Sequence, residues 1–417
     1  MKVLQLTVSS KGGAGIAAMR LHEALQERGI SSAYVSRNMT IDFNGNSMQD
    51  PFFSYRKPGF VKKLYLKIKS NIFPDKEHKI RQLIEEKKAL MDYEMLSLPF
   101  STCQLEKHPL VQEADLLNFH WMGGLLDYEA FFKNCKKPIV WTLHDMNPFL
   151  GMYHYKNDML LNAEILGELD KSIKKSKRAI MEKSSIATFI SPSQWLLDEA
   201  FQNDFLPNVS KEVIANAIDF SLFNNLNANI IREEYSINSD EFVILFVSDS
   251  IKNKRKGFDL LRQALGLLEH LPVILVTIGK GESSEYKFKN INLGEINDPK
   301  KMASSFTMAD VFLLPSREDN LPNVMLESFS AGTPVISFLN GGMKEHITNG
   351  ETGFLATEIT AEALAKAIEN VYNNREKYSR EKIKKYAYEH FSYKLQAEAY
   401  EKMYKKSINQ LTEMTTG

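Results

Sequence analysis

Short apolar runs recur from one end of the chain to the other, separated by stretches in which apolar positions return at helical spacing. Runs too short for a helix and bounded by turn residues read as buried strands, and their alternation with helical patterns predicts parallel sheets built from strand–helix units. In the first part of the chain the expected strands are Val3 to Val8, Ser32 to Val35, Leu116 to His120 and Ile139 to His144, with a helix from Ile16 to Arg28 closed by Gly29. A second series comprises Phe242 to Val247, Val273 to Ile278, Val311 to Leu314 and Val335 to Phe338. Two helices, Arg375 to Tyr388 and Tyr393 to Ile408, are expected to end the chain. The fold class is therefore α/β, with two doubly wound domains facing a cleft at the carboxyl ends of their strands.

Composition agrees with that division. A chain of 417 residues exceeds one ordinary core, and 43% hydrophobic with 25% charged residues is the balance of a soluble globular protein. Lys plus Arg equals Asp plus Glu at 52 each, so no overall field recruits nucleic acid and partners must be sought in local clusters. Cys103 and Cys135 lack metal-ligand spacing, which argues against a disulfide framework and for a reducing compartment. The apolar start is short and runs at once into Ser9, Ser10 and Lys11, and nowhere do eighteen apolar residues run together, so a cytoplasmic protein is expected.

The stretch from Asp310 to Glu345 holds the densest chemistry. The expected strand Val311 to Leu314 ends in the polar turn Ser316 to Asn320, and Pro322 suits the first turn of a helix. The amides of Asn323 and Val324 then point out of a helix start with the dipole behind them, a cradle for a diphosphate that needs no basic side chain. Asp319 precedes that cradle and Glu327 lies eight positions on, so the two acids can bracket one ligand; alone, such a pair is ordinarily two surface acids at a helix start. Asn320 and Leu321, between acid and helix, are counted with the residues that would hold that ligand.

Other clusters lie where strands end. Lys252, Lys254, Arg255 and Lys256 precede Gly257, and a basic cluster there can neutralise a leaving diphosphate, or be a solvated loop. Lys11-Gly12-Gly13-Ala14-Gly15 joins a strand to a helix and lets backbone amides approach a phosphate. A P-loop would continue with Lys and Ser or Thr, whereas Ile16 and Ala17 follow here, so an NTPase reading fails; the Gly-x-Gly-x-x-Gly dinucleotide pattern is incomplete, which leaves a Rossmann dehydrogenase as the least favoured rival. Arg20, Leu21 and His22 on that helix read as packing. His144, and after it His120, end apolar strands where side chains reach the cleft. Gly279-Lys280-Gly281 ends another strand and by itself reads as a turn. From Arg56 to Lys69, six basic residues and no acid accompany Val61, Leu64, Tyr65 and Ile68 at helical spacing. Such a helix lies on anionic lipid or packs, solvated, on the first domain.

Taken together, these motifs resemble the family 4 retaining glycosyltransferases of the GT-B fold. The family signature is a Glu-x7-Glu pair, an Ala-x-x-x-Gly-x-Pro-Val strand entry and a Gly-Gly-x-x-Glu loop. Here stand Asp319 with Glu327, Ser330-Ala331-Gly332-Thr333-Pro334-Val335, and Gly341-Gly342-Met343-Lys344-Glu345. The resemblance implies that the first acid lies beside the donor sugar and that Glu327 binds the ribose hydroxyls; Glu318 precedes Asp319, and the spacing favours Asp319. It implies that Gly12, Gly13 and Gly15 face the donor across the cleft, that His144 orients the donor sugar, that Gly279 lies near the base, and that Lys256 meets the diphosphate. The family's partner Arg falls on Ser250, so Arg255 or Lys252 would take its place. Ile214-Ala215-Asn216-Ala217-Ile218-Asp219 resembles the family's linker, giving an acceptor-side domain over 1–215, a nucleotide-sugar domain over 216–389, and 390–417 packing back on the first. Asp145, Pro148, Gly151, His154 and Tyr155 resemble a capsule and exopolysaccharide subset. The implied function is retaining transfer of a hexose-type sugar from a nucleoside diphosphate sugar to a saccharide or lipid-linked hydroxyl, without cofactor or metal, since no Asp-x-Asp occurs. A sugar-nucleotide epimerase of the same fold and a non-catalytic sugar-nucleotide-binding scaffold are the alternatives.

Overall fold

The computed structural model describes residues 1–53, 76–202, 205–281 and 288–416. The basic helix expected over Arg56 to Lys69 lies outside the described residues. The first sheet has the order β4-β3-β2-β1-β5-β6-β7-β8. Its strands are β1 (Lys2–Leu6), β2 (Ser31–Val35), β3 (Thr40–Ile41), β4 (Ser47–Met48), β5 (Leu116–Phe119), β6 (Ile139–Thr142), β7 (Ile186–Ser191) and β8 (Ser210–Val213). The second has the order β11-β10-β9-β12-β13-β14, from β9 (Phe242–Ser250), β10 (Val273–Lys280), β11 (Lys289–Asn292), β12 (Val311–Leu314), β13 (Val335–Phe338) and β14 (Gly353–Ala356). The second sheet is parallel throughout, and the first is parallel except for the small antiparallel edge β2-β3-β4.

Strand order reverses beside β1 in one sheet and beside β9 in the other, where β5 and β12 respectively pair on the far side. At such points adjacent connections run to opposite faces and leave a crevice at the strands' carboxyl ends. The glycine loop follows β1, His120 follows β5, His144 follows β6, Lys256 follows β9 and Asp319 follows β12. Topology alone therefore delivers the sequence motifs to one cleft.

The expected strands form with ends shifted by a few residues, and those the sequence did not reveal have physical reasons. Ser210–Val213 and Lys289–Asn292 are polar edge strands, and Gly353–Ala356 opens on a glycine. The first helix starts at Gly12 rather than Ile16 because the glycine at positive φ begins the turn itself. The helix expected from Arg375 starts at Arg380, where the Ser379 side chain accepts from the Lys382 amide; the last helix runs Tyr393–Thr416.

That last helix covers one face of the first sheet. Ala397, Tyr400, Met403 and Tyr404 pack with Val3, Leu116, Val140 and Ile190 of the strands and with Leu21 and Leu25 of the first helix. The face is not wholly apolar. Asn118 donates to the Tyr404 hydroxyl at 2.9 Å, Thr142 meets the Tyr400 hydroxyl at 3.0 Å and Thr188 meets Ser407 at 3.0 Å. Each buried polar strand residue thus has a helix partner, which fixes the helix's register. Tyr404→Ala is expected to remove both ring burial and the Asn118 bond, costing about 3–5 kcal/mol in urea unfolding. Tyr404→Phe should lose only about 1–2 kcal/mol. Equal losses would show that the ring's packing carries nothing.

Candidate functional site between the domains

The turn after β9 sets the basic side of the cleft. Gly257 has φ of 72°, and a methyl group there would collide with the carbonyl oxygen of Pro315, so only glycine lets this turn lie against the end of β12. That approach puts Lys256 Nζ 2.6 Å and Arg255 Nη1 3.3 Å from the same Asp319 oxygen, with the Asp319 side chain only 13% exposed. Burial pushes the Asp319 carboxyl up, but Lys256 and Arg255 outweigh it and hold the group below the usual carboxylate range. Two cations thus converge on one acid at the end of β12. Arg255 also lies over the Tyr155 ring at 4.0 Å, donates to the Glu318 carbonyl at 2.9 Å and pairs with Glu94 at 2.5 Å.

Glu318 turns to the first domain instead. Its carboxylate accepts from the Lys156 and Asn157 amides, both at 3.1 Å, at the start of the helix Lys156–Leu161. Glu345 does the same for the helix Gln194–Phe201, accepting from Gln194 at 2.9 Å and Trp195 at 2.7 Å. Two helix starts of the first domain thus take carboxylates from the second. The Asn320 side chain accepts from Ser193 Oγ at 2.5 Å and donates to the Leu143 carbonyl at 3.4 Å. Leu321 is core, its carbonyl accepting from Asn216 at 3.2 Å.

Pro322 occupies the position before the helix Asn323–Ser330, not its first turn, and supplies no side-chain cap. The amides of Asn323 and Val324 therefore have no acceptor within their helix. The helix Gly12–Glu27 also begins without a side-chain cap, and the two starts meet: Asn323 Nδ2 donates to the Gly13 carbonyl at 2.9 Å. Gly15 is required by the turn from β1 into the helix Gly12–Glu27, because a methyl group there would collide with the Ser9 carbonyl oxygen. Further along both helices, Arg20 Nη2 meets Glu327 Oε1 at 2.6 Å, each side chain 12% exposed. Arg20 is thus not mere packing, as its sequence context suggested. The signal was its place two turns beyond Gly13, on the same helix face. Gly279 lies at the end of β10 against the Ser248 backbone.

On the first domain's side, His144 Nε2 and His120 Nδ1 are 2.9 Å apart, and His120 Nε2 lies 2.9 Å from Gln5 Oε1. Donation from His120 to Gln5 makes its Nδ1 the acceptor for His144, which leaves His144 Nδ1 as a free lone pair. Burial drives both rings toward the neutral form, His144 down to about 4 against the opposing pull of the Asp145 carboxylate, and His120 well below its ordinary value with the charge of His144 adding to the effect. Behind them Asp145 accepts from Trp121 at 2.7 Å and from His154 at 2.6 Å, and His154 meets Ser97 at 2.8 Å. Lys177, fully buried, donates to the carbonyls of Asn147, Leu150 and Gly151, while Asp170 accepts from the Met152 amide at 2.6 Å. This pins the loop after His144 from below. Glu94, Ser193 and Lys177 gave no sequence signal, because their roles arise only from contacts between distant segments.

A histidine whose proton affinity falls from the ordinary 6.5 to about 4 on folding is protonated first in the unfolded chain. Stability is then present above pH 6.5 and lost as pH falls toward 4, by up to about 3 kcal/mol for one such ring. His144→Gln should flatten the pH dependence of unfolding free energy across that window; an unchanged slope would show that His144 titrates normally.

Residues 227–390 match the family model described as glycosyl transferases group 1. A lipopolysaccharide 1,2-N-acetylglucosaminetransferase of Salmonella typhimurium is 27% identical over 240 residues, which are 52% of this chain and 62% of that protein's length. Among solved structures, a sucrose-phosphate synthase from Thermosynechococcus elongatus superposes with a TM-score of 0.65 at 17% identity, over 97% of this chain and 98% of its own. The Anabaena HepE protein in complex with UDP gives 0.59 at 19% identity, over 97% and 100%. Among the described residues no helix is long and apolar enough to cross a membrane. The chain has the GT-B fold, and its second domain carries the match to glycosyl transferases group 1.

Proposed function

We propose that the protein is a glycosyltransferase that moves a hexose-type sugar from a nucleoside diphosphate sugar to a hydroxyl acceptor in polysaccharide synthesis, with retention at the anomeric carbon. The observation that carries this reading is the convergence of an uncapped helix start at Asn323 with Lys256 and Asp319 at the switch point of the second sheet. The similarity to a lipopolysaccharide N-acetylglucosaminetransferase and to a protein crystallised with UDP supports a nucleotide-sugar donor.

In this reading the diphosphate rests on the amides of Asn323 and Val324 beside Lys256, with Arg255 behind, and the ribose reaches Glu327. Fixed donors at a site of growing negative charge need no reorganisation when the glycosidic bond breaks. His144, neutral, offers its Nδ1 lone pair to a donor-sugar hydroxyl rather than acting as an acid. The acceptor enters from the first domain, and the cross-cleft contacts keep out the water that would hydrolyse the donor. The charge is balanced by Lys256 and amides, so transfer is expected to persist in EDTA.

Replacing Lys256 by Met is expected to lower kcat by about a hundredfold or more. Asp319 keeps Arg255 as a partner in that variant, so melting should change little. Glu327→Ala should abolish transfer with the fold intact. A melting screen with uridine, guanosine and adenosine diphosphates should show stabilisation by one of them, about 2.7 kcal/mol at a hundred times its Kd. No stabilisation by any would favour a scaffold, and a free altered sugar from donor alone would identify an epimerase.

A further inference from the structure

We infer that Arg20 is a ribose-binding residue of the donor site, reading a hydroxyl jointly with Glu327; this rests on the glycosyltransferase reading above. The residue comes from the first domain and reaches Glu327 of the second through Nη2. Its other terminal nitrogen, Nη1, is buried and has no hydrogen-bond partner. A guanidinium donor out of water with no acceptor is a position that native proteins rarely leave empty, and its presence in a cleft calls for a ligand oxygen.

The chemistry of the ligand follows from the pair. A carboxylate only accepts and a guanidinium only donates, whereas a sugar hydroxyl does both. With Oε1 of Glu327 engaged by Arg20, a hydroxyl can donate to Oε2 and accept from Nη1, so the two side chains recognise it in both directions. Charge separates this position from a phosphate site. Among the described residues, the charged group that Arg20 meets directly is the Glu327 carboxylate, which balances it. A balanced ion pair offers no net charge to a phosphate but suits a neutral diol, while Lys256 and Arg255 gather instead on Asp319. Spacing fits as well. The Gly13–Asn323 and Arg20–Glu327 contacts are two rungs between the same two helices. Four residues along the helix Asn323–Ser330 separate them, about 6 Å, a span that a ribose bridges when its phosphates sit at the helix start.

The test uses the full chain and the nucleoside diphosphate that stabilises it most in the melting screen, together with the 2′,3′-dideoxy analogue of that nucleotide. Titration calorimetry on the wild type, Arg20→Gln and Arg20→Lys gives affinities for both ligands. The lysine variant keeps a charge for Glu327, and hence the tie between domains, but has one terminal nitrogen and so lacks the second donor atom that stands at the Nη1 position. Both variants are expected to bind the natural ribose about tenfold more weakly while changing binding of the dideoxy analogue less than about twofold. Equal weakening of both ligands would make Arg20 only a tie between domains, and no change in either would remove it from the site; each overturns the inference. A wild type that binds no nucleoside diphosphate overturns the glycosyltransferase reading itself and this inference with it.

Discussion

The first amides of a helix have no acceptor of their own, and how this protein supplies acceptors organises its cleft. Several helices solve the problem locally, with Asp127, Ser193, Asp298, Thr360 and Ser379 each accepting from an amide in its own first turn. Two helix starts of the first domain take Glu318 and Glu345 from the second domain, so closure of the cleft satisfies amides that opening would leave to water. The helices beginning at Gly12 and Asn323 have no side-chain cap, and their starts meet across the cleft.

From that constraint the remaining chemistry follows. Glu318 is committed to a helix of the first domain, so its neighbour Asp319 is the acid that meets Lys256 and Arg255. Arg255 is in turn fixed by Glu94 and Tyr155 of the first domain, which makes the basic cluster a property of the closed molecule rather than of one domain. The neutral His120–His144 pair and the buried Lys177 form a rigid floor opposite. Such a site presents an anion cradle, cations and uncharged acceptors in fixed places, and most of its order is stored in the interface.

Much of this was legible in the sequence because it depends on local rules. Val311–Leu314 and Val335–Phe338 form with the boundaries their apolar runs gave, and strand ends brought the Gly12 loop, His144, Lys256 and Asp319 to one cleft. What remained hidden was relational. Arg20 looks like any polar helix residue until Glu327 is beside it, and Asn320 bridges to Ser193 across more than a hundred positions of sequence. Polar edge strands such as Lys289–Asn292 carry no apolar signature, since their pairing comes from the neighbouring strand's free backbone.

The central claim is that the uncapped start of the helix Asn323–Ser330 receives the donor's diphosphate. A crystal structure of the protein with a nucleoside diphosphate tests it most directly. Phosphate oxygens about 3 Å from the Asn323 and Val324 nitrogens, with Lys256 turned toward them, are the expected result. A nucleotide bound with its phosphates elsewhere while those amides face only solvent would contradict the account.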